Sequence, residues 1–220
     1  MTSRFAMVIV GAALACTATE TGFAQAKAHL KDVEVGPVGG VNIFRFGGSD
    51  ASGFASRTSF YAGVAVTVPL GRSAFLEPEV LYSEEGAKAT FVDSTVGTIE
   101  GTYELAYAAV PVLFGVRFEG GGTVDPRVFA GPVFSFNLSC QLKASAAGMS
   151  ATGTCSDNGI DATSLSVGAT FGGAVAVRTG WGALELGLRY TYDFSHAFKE
   201  SNARNEGLSV GAGLSIPLPK

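Results

Sequence analysis

The stretch Leu184-Glu185-Leu186-Gly187-Leu188-Arg189-Tyr190-Thr191-Tyr192-Asp193-Phe194 decides the architecture. Leu184, Leu186, Leu188, Tyr190, Tyr192 and Phe194 hold one phase of a period of two, and Glu185, Gly187, Arg189, Thr191 and Asp193 hold the other. Successive side chains of an extended chain point to opposite faces, so the stretch predicts a strand with one apolar face. The last segment repeats the pattern, with Leu208, Val210, Ala212, Leu214, Ile216 and Leu218 alternating with Ser209, Gly211, Gly213 and Ser215. Segments 60–68, 76–83, 108–118 and 128–138 keep the same alternation, and the Gly- and Ala-rich segments 33–46 and 162–178 keep it more weakly.

That makes eight predicted strands, and the connections between them alternate in length. Short ones fall at 70–73, 119–123 and 179–182, and long polar ones at 47–57, 86–101, 141–161 and 195–206. An even number of antiparallel strands with tight turns at one end and long loops at the other is the pattern of an all-β, up-and-down transmembrane β-barrel. Lipid supplies no hydrogen-bond partners, so a spanning sheet must close and lose its edges. The apolar phase then faces lipid and the small or polar phase faces inward.

Composition agrees. The 220 residues include 30 Gly and only 15% charged side chains, and the mean hydropathy is +0.31, whereas ordinary globular domains carry about 25% charge. Outside the first fifteen residues no run approaches the roughly 18 apolar residues of a membrane helix, which excludes a polytopic helical protein. A hydrophobic fraction of 47% with a net charge of −4 excludes disorder and a basic-patch nucleic-acid partner.

The N-terminus reads as a secretory signal peptide at 1–26: a basic start to Arg4, an apolar stretch from Phe5 to Ala15, and the cleavage site Ala24-Gln25-Ala26. The barrel domain is then 27–220. Lipoprotein processing at Cys16 is the alternative, although Ala13 stands where such sites usually carry Leu. Export puts Cys140 and Cys155 in an oxidising setting, where a disulfide would pin the base of the loop between them. Two unpaired thiols are the other reading.

The inward phase collects Glu77, Glu79, Glu85, Arg117, Arg127, Arg178, Glu185, Arg189 and Asp193. An eight-stranded barrel is only wide enough for side chains to fill, and buried charges need partners there. A paired interior charge network that plugs the lumen is the expectation, and a general diffusion pore is disfavoured. In a soluble sandwich the same charges would be the solvated face, but that face is mostly Gly, Ala, Ser and Thr. Pro78, Pro111 and Pro132 fall in mid-strand and predict bulges. Tyr82, Phe114, Phe118, Phe134, Tyr190, Tyr192 and Phe194 are candidates for interfacial girdles.

Five short motifs occur in order: Gly40-Val41-Asn42, Leu76-Glu77-Pro78-Glu79-Val80-Leu81-Tyr82-Ser83, Ala109-Val110-Pro111-Val112-Leu113, Phe129-Ala130-Gly131-Pro132 and Leu184-Glu185-Leu186-Gly187-Leu188-Arg189-Tyr190. Together they resemble the PorT-like family of bacterial outer-membrane proteins, over about residues 33–219. The resemblance implies an eight-stranded barrel of the porin-family type in the outer membrane of a Gram-negative envelope. It also implies outer-membrane lipid as surroundings and the outer-membrane assembly machinery as a partner. It implies no activity, since a fold does not specify function.

Catalytic chemistry is sparse. The only histidines are His29 and His196. Asp193, Ser195 and His196 are neighbours whose side chains alternate between faces, which does not build a nucleophile–base–orienter line. Asp157 and Asp161 are too few for a calcium loop, and Gly211-Ala212-Gly213 lies inside a strand where no phosphate loop forms. No enzyme, cofactor or metal site is expected. The function expected is a structural or interaction role, with four external loops meeting a protein or cell-surface ligand. The alternative is a narrow channel or a component of an envelope export complex.

Overall fold

The computed structural model describes residues 33–93, 97–118, 122–146 and 149–218. The signal peptide read at 1–26, Cys16 and His29 lie outside the described residues. Among the described residues nine strands follow one another: β1 (Glu34–Gly47), β2 (Phe54–Pro69), β3 (Ala74–Asp93), β4 (Gly97–Arg117), β5 (Val124–Ala146), β6 (Met149–Thr154), β7 (Leu165–Arg178), β8 (Ala183–Asp193) and β9 (Arg204–Pro217). Every pairing is antiparallel, β1 pairs with both β2 and β9, and β4 pairs with both β3 and β5. The ring β1–β2–β3–β4–β5–β7–β8–β9 is therefore closed, and β6 folds back on β5 alone. Among the described residues eight strands make the barrel wall, and the ninth belongs to a hairpin outside the closed ring.

Alternation sorts the side chains as the period-two reading predicts. Leu184, Leu186 and Leu188 are 48%, 64% and 49% exposed on the outer surface, where the environment is hydrocarbon. Glu77, Glu79, Arg127 and Asp193 are buried inside. Inward glycines have a specific use. Gly40 and Gly211 face each other across β1 and β9, and a Cβ on Gly40 would come within 2.9 Å of the Tyr61 ring while one on Gly211 would overlap the Tyr61 hydroxyl. Gly115 likewise leaves the space filled by the Phe75 ring. Backbone without side chains on some strands makes room for whole aromatic rings from others.

Two expectations need correcting. The sequence predicts long loops at 86–101 and 141–161, yet β3 and β4 stay paired from Ala74↔Val116 up to Asp93↔Gly97, and β5 pairs with β6 from Gln141↔Thr154 to Ala146↔Met149. Alternation persists there, with Ala87 and Ala89 buried and Lys88 and Thr90 exposed. Small residues on both faces give it too little hydropathy contrast to show in sequence. The bulges are also elsewhere: the register shifts between Ser56 and Tyr61 and between Ala106 and Tyr107. At Pro78 and Pro111 the β3–β4 ladder skips residues and resumes in register, and Pro132 holds its register with Ala169. A missing N–H removes one hydrogen bond without requiring an extra residue.

A strand tilted through a bilayer needs about 9–11 residues. β8 has 11 residues, whereas β3, β4 and β5 have 20, 21 and 23. The last three carry on as a wall beyond the membrane at the end opposite the short turns. The hairpin of β5 and β6 is clamped at its base by the Cys140–Cys155 disulfide, with Cα atoms 5.4 Å apart.

Candidate functional site in the barrel interior and at its mouth

The interior is layered from the short-turn end upward. There Arg117 Nη2 lies 3.9 Å from Glu34 Oε2, and Arg178 pairs with Asp125. Arg178 sits at the rim with its side chain 46% exposed, beside Trp181 and an open cavity of about 390 Å³. One level higher, Arg127 Nη1 is 2.6 Å from Glu185 Oε2 and 3.5 Å from Glu77 Oε2. The Thr67 hydroxyl donates to Glu77 at 2.6 Å. The Phe75 ring lies 5.3 Å and 5.5 Å from the Arg117 and Arg127 guanidinium carbons.

Above that, Arg189 donates to both oxygens of Glu79, through Nη1 at 2.6 Å and Nη2 at 3.2 Å. This bidentate geometry is among the stronger ionic contacts open to a buried carboxylate. The Arg189 guanidinium also lies 5.3 Å from the Tyr61 ring and 5.9 Å from that of Phe129. The cavities touching these middle levels hold only about 30 Å³ each, space for a water or two.

The next level is polar but holds no arginine pair. Ser209 Oγ donates to Asn42 at 2.7 Å, Asn42 donates to Ser83 Oγ at 3.0 Å, and Ser83 Oγ donates to Glu85 at 3.3 Å. Asp193 accepts from Ser166 Oγ at 2.8 Å, and Asn205 donates to the Tyr107 hydroxyl at 3.1 Å. Among the described residues neither Glu85 nor Asp193 forms an ion pair. Ser195 Oγ accepts the Val167 N–H at 3.0 Å, so Ser195 and Asp193 are each held by partners other than His196.

Aromatic rings close the top. Phe46 from the end of β1 packs edge-on against Phe54, Tyr103 and Phe198, with centroids 5.2, 5.9 and 5.4 Å away. Tyr103 also packs against Phe54 and Phe198 at 5.6 and 5.8 Å. Outside this floor lies a mouth cavity of about 260 Å³. Asp50, on a single 3-10 turn after β1, accepts the Asn202 N–H at 2.8 Å and the Ser49 hydroxyl at 2.9 Å. The backbone bond from Asn202, helped by Ser49, holds the Asp50 carboxyl below its ordinary range. On the barrel's flank Arg57 pairs with Glu84 at 3.0 Å and Glu104 at 3.1 Å, and Lys143 pairs with Glu104 at 2.8 Å.

Of the nine charged residues singled out in sequence, Glu77, Arg127 and Glu185 come together, as do Glu79 and Arg189. Arg117 and Arg178 stand at the lower end with Glu34 and Asp125, partners the sequence reading missed. Asp125 shares the phase of Arg127 and could have been found from it. The mouth aromatics carry no such signal, because Phe46, Phe54, Tyr103 and Phe198 are scattered through the chain.

The chain belongs to the outer membrane protein beta-barrel domain family, which it matches over residues 23–199, and its location is the outer membrane. No curated protein sequence matches it. Solved structures similar to it include the following three outer-membrane proteins. Neisserial surface protein A has 15% identity and a TM-score of 0.47, covering 84% of this chain and 96% of its own. Ail, the attachment invasion locus protein of Yersinia pestis, has 13% identity and a TM-score of 0.41, covering 84% and 99%. OprG from Pseudomonas aeruginosa has 9% identity and a TM-score of 0.46, covering 84% and 95%.

Proposed function

We propose that this barrel is a membrane anchor with its lumen plugged by charged side chains, and that its projecting hairpins serve a structural or interaction role at the cell surface. The observation that carries the reading is the pairing of Arg189 with Glu79 and of Arg127 with Glu77 and Glu185. With so little empty volume beside these pairs, a hydrated solute has no continuous path. The β3–β5 wall and the disulfide-clamped hairpin supply a stiff external surface, which suits a protein or cell-surface partner better than a mobile loop does. The role asks for no enzyme chemistry.

The chain reaches the membrane through removal of its leader after Ala26 and insertion by the outer-membrane assembly machinery. Its place is in the PorT-like group, whose motifs it carries in order. Planar-bilayer recording on the refolded protein tests the plug. The expected result is no stable single-channel current; stepwise openings would replace this reading with the narrow-channel one.

A further inference from the structure

Aromatic rings meet carboxylates both in the lumen, where arginines stand between them, and at the mouth, where the cavity lining holds no cation. In the lumen, Arg189 lies near the Tyr61 and Phe129 rings with Glu79 on its nitrogens. At the mouth, Phe54, Tyr103, Phe198 and Ile160 make one kind of wall, and Asp50, Asp161 and Glu200 make the other. No lysine or arginine is among the residues lining that cavity. Lys199 reaches Asp161 at 3.6 Å, but the two side chains are 62% and 67% exposed, so solvent screens the pair and it does little to neutralise the rim.

Ring faces carry negative quadrupole density and attract cations, most strongly when the cation is weakly hydrated. The three rings come from β2, β4 and the β8–β9 connection, and their mutual edge-to-face contacts hold them in place. Asp50 is fixed by the Asn202 N–H, which holds its carboxyl below the ordinary range. At about 260 Å³ the cavity falls below the usual range for drug-sized ligands, so it suits a small one.

We infer that the mouth of the barrel binds a small organic cation of the quaternary or alkylammonium class, its head against Tyr103, Phe54 and Phe198 and its charge balanced by Asp50, Asp161 and Glu200. This deepens the interaction role proposed above and rests on it, because the ligand arrives from outside and does not cross.

The test uses the refolded barrel in maltoside micelles, which carry no choline headgroup, titrated calorimetrically with choline and with its uncharged isostere 3,3-dimethylbutan-1-ol. Choline should bind saturably and at least about tenfold more tightly than the alcohol. Tyr103→Leu, which keeps apolar volume and removes the ring, should cost choline about tenfold and leave the alcohol unchanged. Glu200→Gln, at an exposed position where folding is not at stake, should cost choline about threefold. Equal affinity for the two probes would overturn the inference, as would absence of saturable choline binding by protein that still shows the heat-modifiable gel shift of a folded barrel. Bilayer currents are read separately, so a conducting barrel that binds choline refutes the plug alone, and a silent barrel that does not bind choline refutes the cation site alone.

Discussion

The middle of the lumen and the mouth are built from the same materials and do opposite things with them. Both set phenyl and phenol rings beside carboxylates. In the middle of the lumen, guanidinium groups fill the space between, Glu77, Glu79 and Glu185 each meet an arginine, and what remains is space for a water or two. At the mouth the cation is missing from the lining and the space stays open. Carboxylates alone therefore do not mark a binding surface in such a barrel; the mouth differs in having open space beside its carboxylates and no arginine in the lining.

The comparison breaks most easily at Arg189. Arg189→Ala leaves Glu79 buried and unpaired and should lower stability by about 3–5 kcal/mol, read from urea unfolding in micelles. Adding Glu79→Gln should recover much of that loss, and a single variant as stable as the parent would show that the lumen pair is no more structural than the rim. Leu186→Arg puts a charge on the outer apolar band and should cost about 2–4 kcal/mol if the residue lies near the bilayer midplane. The same change at Ser156 on the external turn should cost little.

Cys140→Ser should act on the external wall alone. A disulfide closing a loop of about 15 residues is worth roughly 3 kcal/mol in the chain-entropy account, yet this loop can open locally without the barrel. Faster protease cleavage within β6 with an unchanged gel shift is the expected result; loss of the shift would make the hairpin part of the core.

The smallest effect concerns Asp50. Its folded pKa is lowered, so its contribution to holding the 201–203 segment is present above the unfolded carboxyl pKa and is lost as pH falls through the folded one. Asn202 amide exchange should be faster in Asp50→Asn than in the parent at neutral pH, and the difference should vanish in strong acid. A difference that persisted in acid would assign the ordering to something other than the charge.

How much was legible in sequence differs between the two regions for one reason. Lumen residues lie on strands, and a period of two tells which face Glu77, Arg127 and Glu185 share without saying which strands touch. The phase alone placed Glu77, Glu79, Arg127, Glu185 and Arg189 inside. Arg117 and Arg178 also keep that phase, but they stand near strand ends, where the barrel opens and new partners such as Glu34 and Asp125 come within reach. The mouth is assembled from a strand end at Phe46, a strand start at Phe54, the upper part of β4 at Tyr103 and a connection at Phe198. No period links such positions.

The same limit applies to β3, β4 and β5, whose upper halves look like loops because Ala, Gly, Ser and Thr occupy both phases. By itself the sequence determined the strand alternation, the number of strands in the wall, the lipid-facing set and the outer-membrane setting, because all of these follow from a local two-residue repeat summed over the chain. Only the tertiary structure decided which arginine meets which carboxylate, how far the external wall extends and that the mouth keeps carboxylates and rings without a cation, because closure of the sheet joins residues more than a hundred positions apart, as it does Arg189 and Glu79.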